Sequence, residues 1–431
     1  MWSRFLGLSL CVGLLLAAEA GGSRAVAFDE TVLYNFCGLN SCADGRVPLG
    51  GVIMDGARDI FGTTNIGGVA RHCDNSNNGC GTVFELHLHN GFYLYRALHS
   101  FCAAKNCRDG GFPTGALIQD VAGNLYGVTT NKGAHSAGGV FEITGNKLKV
   151  LHAFCAKSGC TDGTPPDSTA TPLTYAGAST GAPYEGNAPL YGFGYAGGTH
   201  GNGGVIYELK KNSKGKLVYK VIYNFCSQSF CGDGSQPMGL VADSAGTLYG
   251  ASVNGGVANK GVVFKFDGKN LQTLYTFCSQ SSCTDGANPR GPVVFDASGN
   301  MYGTTFSGGA SDNGTAYEIS AAGVFSKLYD FCSAANCTDG ANPAATPVID
   351  AKGFLYGTTP LGGANQAGVV YKLKGSSYQV LFSFCPDFPQ CTDGDSPNTP
   401  VTLDSSGNIF GTGVGGGTGQ IADGVVFELS H

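Results

Sequence analysis

The chain has 431 residues, 70 of them glycine, with 13% charged residues and a formal net charge of −6 at pH 7. Abundant glycine and few charges speak against long amphipathic helices and for short strands joined by tight turns. An acidic balance without a basic stripe speaks against a nucleic-acid partner, and 42% hydrophobic content speaks against uniform disorder.

The N-terminus reads as a secretory leader over residues 1–20. Arg4 supplies a short positive region, Phe5 to Ala17 is apolar, and Ala18-Glu19-Ala20 places small residues where a signal peptidase cuts. Ala25-Val26-Ala27 is a second cleavage site, which would end the leader at 27. The apolar run is too short to span a bilayer comfortably, and Cys11 lacks the small preceding residue of a lipoprotein site. The expectation is a mature chain of residues 28–431 forming one domain, secreted or periplasmic, with no transmembrane span.

Three phrases then recur in fixed order. The first is Phe-Cys, a short gap, Cys, one residue, Asp-Gly, beginning at Phe36, Phe101, Phe154, Phe225, Phe277, Phe331 and Phe384. Four residues separate the cysteines in six copies and five in the last. The second phrase is Tyr/Phe-Gly, as in Asn124-Leu125-Tyr126-Gly127, and the third is a Gly-Val-Phe-Glu-like strand, as in Gly139–Ile143. In the fifth repeat the strand candidates are Val293–Asp296, Asn300–Thr305, Thr315–Ile319 and Phe325–Phe331, bounded by Gly, Asp and Asn. Four antiparallel strands repeated seven times predict an all-β, seven-bladed propeller. The chain opens on a lone outer-type strand at Thr31–Phe36 and ends on Val425–Leu429. The N-terminal strand is therefore expected to complete the last blade and hide two sheet edges.

The Asn-Leu-Tyr-Gly-like run, the following Gly-Gly, the Gly-Val-Phe-Glu-Leu-like strand and the Leu-Tyr-Phe strand leading to Asp-Gly resemble the Gloeobacter–Verrucomicrobia tandem repeat. The resemblance covers roughly Thr31 to Leu429 and implies a surface or secreted repeat protein without a settled activity. This chain departs from the commoner pattern by adding a cysteine pair to every repeat.

Outside the leader the cysteines fall into eight close pairs: Cys37 and Cys42, Cys73 and Cys80, Cys102 and Cys107, Cys155 and Cys160, Cys226 and Cys231, Cys278 and Cys283, Cys332 and Cys337, Cys385 and Cys391. An even, paired set in a secreted chain reads as local disulfides. Zinc would need four ligands, and these loops offer two cysteines with no adjacent histidine. No metal and no cofactor are therefore expected.

The aspartates of the first phrase, Asp44, Asp109, Asp162, Asp233, Asp285, Asp339 and Asp393, have two readings. Each can cap its own turn, or together they can form a ring of carboxylates that binds a ligand. Strand alternation puts these loops and the Gly-Gly loops on one face, together with His72, His135 and His200. The insertion Thr174–Ala188 falls on the other face. His87 and His89 alternate on one strand. The regular Phe and Tyr residues are expected to pack blade against blade. No nucleophile motif accompanies the histidines. The expected role is therefore a binding or scaffold module for an extracellular protein, glycan or small molecule. The alternative is a lyase or hydrolase acting on a glycan or small molecule at the channel mouth.

Overall fold

The computed structural model describes residues 28–69, 73, 79–166, 173–420 and 423–431; residues 1–27, where the leader is expected, and His72 lie outside the described residues. Seven antiparallel sheets form a ring; six are each built from one stretch of chain, and the N-terminal strand joins the seventh. Blade 1 illustrates the plan with strands Ile53–Met54, Ile60–Thr64, Thr82–His89 and Phe92–Ser100. Among the described residues no helix is long and apolar enough to cross a membrane.

Ring closure follows the predicted arrangement. Asp29–Asn35 pairs antiparallel with Val425–Ser430, from Asp29 opposite Ser430 to Asn35 opposite Val425. Seven blades are thus completed with no free edge between the chain ends. The seam between blades 7 and 1 is reinforced by the Arg46–Asp423 ion pair at 2.9 Å and by Thr412 Oγ1, which donates to the Gly50 carbonyl at 3.3 Å.

The three phrases are the parts of one interface used seven times. The phenylalanine of Phe-Cys, at the end of one blade's outer strand, stands edge-on to the third-strand ring of the next blade. Ring centroids are 5.1 Å apart for Phe36–Phe84, 5.1 Å for Phe277–Tyr317 and 5.1 Å for Phe384–Phe427. The third-strand ring in turn covers the glycine of Tyr/Phe-Gly. A Cβ on Gly62 would stand 2.6 Å from the Phe84 ring, and one on Gly411 would stand 2.5 Å from Phe427. Only glycine fits there, so this phrase is a packing requirement.

The fifth repeat shows one difference from the predicted strands. Its first strand is split into Ala287–Pro289 and Val294–Phe295. Pro289 and Pro292 have no N–H to donate, so the ladder breaks between the two pieces.

Candidate functional site

The structure pairs the cysteines locally: Cys37–Cys42, Cys73–Cys80, Cys102–Cys107, Cys155–Cys160, Cys226–Cys231, Cys278–Cys283, Cys332–Cys337 and Cys385–Cys391. Seven of these loops lie on the face that also carries the Gly-Gly loops. One hydrogen bond repeated in every blade joins the two loop types. Examples are Gly68 N–H to the Cys42 carbonyl, Gly256 N–H to Cys231 and Gly363 N–H to Cys337, each at 2.9 Å.

The backbone in these loops is left-handed at both cysteines, with φ 62° at Cys226 and 50° at Cys231. Residues with side chains adopt that region at a cost, and it persists where the surroundings hold it. The disulfide is one such constraint and the aspartate is the other. Asp285 accepts from the Tyr275 hydroxyl at 2.8 Å, the Ser279 amide at 2.9 Å, the Ser279 hydroxyl at 2.8 Å and the Gln280 amide at 3.3 Å. Burial alone would raise its pKa, but these donors outweigh burial and hold it below the usual carboxylate value. Asp339, in the loop leading into blade 6, has the equivalent donors from Tyr329, Ser333 and Ala334, and its pKa is lowered for the same reasons. Asp233 repeats the set with Tyr223, Ser227 and Gln228. Asp44 accepts from Tyr34, Gly38 and Leu39. In blades 2 and 3 a histidine replaces the tyrosine. His99 Nε2 lies 3.0 Å from Asp109, and His152 Nε2 lies 3.3 Å from Asp162.

The seventh loop differs. It is one residue longer, and Phe382 stands where the others have tyrosine or histidine. Asp393 turns inward and accepts from the Cys385 amide, at 3.0 and 3.1 Å from its two oxygens. Burial, with smaller contributions from Asp387 and Asp395, pushes its pKa up to about 6. On the neighbouring outer strand Glu30 faces Leu429, the register position held by Tyr95, Tyr219 and Tyr378 in blades 1, 3 and 6. Burial, then the charge of Asp393, pushes Glu30 up to about 7.

All seven aspartates are buried, from 0% to 7% exposed. They lie in separate loops, and each is bonded within its own. Among polar residues, this face also presents several large apolar side chains to solvent. Phe230 is 93% exposed at the apex of the fourth-blade loop, and Val257, 96% exposed, follows the Gly256 that bonds to Cys231. Leu39, Val69 and Phe388 are exposed on the same face at 51%, 54% and 75%. His135 and His200 are exposed there too.

The opposite face carries the insertion Thr174–Ala188, which crosses the mouth of the ring. The Tyr184 carbonyl accepts from Val121 of blade 2, and the Gly177 amide donates to the Asp243 carbonyl of blade 4, each at 2.9 Å. Its short helix Ala178–Thr180 lies beside Val294–Phe295 of blade 5. A cleft of about 840 Å³ remains between Ser179–Gly181 and the turns Asp296–Gly299 and Asp350–Gly353. Both oxygens of Asp296 are taken by Ser298, Asn300 and Tyr302, and those of Asp350 by Lys352, Phe354 and Tyr356. The carboxylates are thus committed to their turns, and no histidine lines the cleft among the described residues.

No curated protein matches the chain. Among solved structures it is similar to the extracellular domain of a candidate one component system from B. thetaiotaomicron, at 11% identity and a TM-score of 0.52, over 94% of this chain and 40% of that one. The chain therefore spans well under half of that structure's length, and the likeness is one of fold. It is also similar to a candidate 6-phosphogluconolactonase from Bacteroides uniformis, at 13% identity and a TM-score of 0.44, over 79% of this chain and 86% of that one. Residues 278–431 match the sequence model of the Gloeobacter/Verrucomicrobia repeat. The same three phrases run through all seven blades, so the rest of the chain repeats the pattern of the matched residues 278–431.

Proposed function

We propose that this propeller is a secreted binding module whose working face carries the disulfide loops and engages an extracellular protein. Phe230 carries this reading. Five other loops place Ser41, Asn106, Gly159, Ser282 and Asn336 at its position, all small or tolerant of left-handed backbone. Blade 4 instead holds a phenylalanine at φ 56° and leaves it 93% exposed. An aromatic ring kept in strained backbone on a rigid loop, next to exposed Val257, is the arrangement of an anchor for a partner's apolar pocket. Eight disulfides and the leader motif support an oxidising location.

Phe230→Ser copies Ser282 of the next loop, so it keeps the loop's backbone and removes only the anchor. Loss of such an anchor costs about 2 kcal/mol or more, roughly thirtyfold in affinity. The test is quantitative capture of partners from the native extracellular fraction by the wild type and by this variant. A partner enriched by the wild type and depleted at least tenfold with Phe230→Ser supports the reading; equal enrichment by both contradicts it.

The cleft beside the insertion favours a second reading, as a pocket for a small polar ligand. Its size falls in the range of ligand pockets. Its committed carboxylates leave no acid–base pair for a hydrolase or lyase, so binding fits it better than catalysis. Lys352→Ala should weaken such a ligand in a saturation-transfer NMR screen of soluble sugars and organic acids; a screen with no hit would remove this reading.

A further inference from the structure

Blade 1 differs from blade 2 at three positions that meet in space. Blades 2, 5 and 7 open the second strand with Asn124, Asn300 and Asn408, whose side chains fold back onto a turn aspartate. Blade 1 has Asp59 there. In blade 2 the Tyr126 hydroxyl donates to Glu142 Oε1 at 3.1 Å. Blade 1 has Phe61, so its third-strand Glu85 receives no such donor. Two residues further on, Thr144, Lys210, Asp267, Ser320, Lys374 and Ser430 occupy the position that blade 1 gives to His87.

These departures build a constellation. His87 Nδ1 is 2.9 Å from Asp59 Oδ2, while Asp59 Oδ1 is held by the Leu88 amide at 2.8 Å. Glu85 is only 7% exposed. Its Oε2 lies 2.6 Å from Arg96, but without the geometry of a hydrogen bond. One donor atom each from Asp59, Glu85 and His87 lie within 4.8 Å of one another. All three line a cleft of about 390 Å³ with Leu94, Tyr95 and Arg96.

We propose that Asp59, Glu85 and His87 form a divalent metal site whose best-fitting ion is Zn²⁺. One imidazole and two carboxylates are a zinc donor set; the donors already lie within 4.8 Å of one another, and the ion would enter by opening the 2.9 Å contact between His87 and Asp59 slightly. The two carboxylates neutralise the ion's charge. The ion takes the Nδ1 lone pair, and any proton on Nδ1 leaves to water. Arg96, whose side chain is 60% exposed, is the resident cation and is free to swing out as the ion enters. The Leu88 amide orients Asp59 from behind, as outer partners of metal ligands do. The described cysteines, all paired, take no part, which is why a reading centred on them expects no metal.

The test is calorimetric titration of ZnCl₂ into the tag-free, oxidised, EDTA-stripped protein, with CaCl₂ in parallel. One Zn²⁺ per chain is expected, with affinity falling tenfold or more in His87→Ala and in Asp59→Asn. The second variant copies blade 2 and so keeps the turn folded. His89→Ala, which alters the neighbouring ring 6.3 Å away, should stay within twofold of the wild type. Absence of zinc binding, an undiminished affinity in both ligand variants, or Ca²⁺ binding in place of Zn²⁺ would overturn the proposal.

Discussion

The loops leading into blades 6 and 7 carry the same phrase and differ in what their aspartate does. Asp339 sits under four donors from Tyr329, Ser333 and Ala334, and its charge is stabilised. Asp393 has Phe382 in place of the tyrosine, faces Glu30 across the blade seam, and its charge is disfavoured. A conserved-looking motif letter can therefore mark a strong anchor in one copy and a stored cost in another. The donors around the carboxylate decide which.

The same substitution should have opposite signs at the two sites. Asp339→Asn turns an amide against buried donors and should destabilise by about 3 kcal/mol, measured by denaturant unfolding at pH 8. Asp393→Asn removes a costly charge and should leave stability unchanged or raise it; equal losses at both sites would erase the distinction. Replacing Cys332 and Cys337 together by alanine tests the other constraint on the sixth loop. It should cost about 2 kcal/mol by the chain-entropy model.

The seam between blades 6 and 7 gives a pH signature. Glu30 and Asp393 have folded pKa values of about 7 and about 6, above their ordinary 4.5 and 3.8. The native state therefore holds protons that the unfolded state has lost. The stability these groups contribute is complete below pH 4 and is lost as pH rises through 6 to 7. The melting temperature should fall between pH 5 and pH 8, and Glu30→Gln should flatten that slope. A wild-type slope of the opposite sign, with no effect of Glu30→Gln, would show that the pair does not govern the seam. The smallest expected effect sharpens the comparison. Phe382→Tyr offers Asp393 the hydroxyl found in blade 6 and should add up to about 1 kcal/mol at pH 8.

Much of the fold is legible in the sequence because its interface is written seven times. Phe36, Gly62 and Phe84 belong to three different phrases, yet they interlock as one contact. Their fixed order carries the ring, its closure by Asp29–Asn35 and the shared face of the two loop types. The candidate site is less legible. An aspartate before glycine reads equally as a turn cap or a ligand, and its deciding donors, such as Tyr275 on the strand leading into the loop, are not part of the Asp-Gly phrase. The strain at Phe230 comes from loop closure, which residue type does not reveal. The reach of the insertion from Val121 to Asp243 depends on contacts between blades far apart in the chain. His87 stands out in the sequence, but its partner Asp59 is 28 residues away and is recognisable only as an exception to the repeat.

Hydrogen–deuterium exchange of the oxidised protein, alone and with its captured partner, tests the working-face assignment most directly. Protection on binding should fall on the Cys226–Asp233 loop and on the segment around Val257, and should vanish in Phe230→Ser. Protection confined to the opposite face, around Ser179–Gly181 and Asp350–Gly353, would contradict the account.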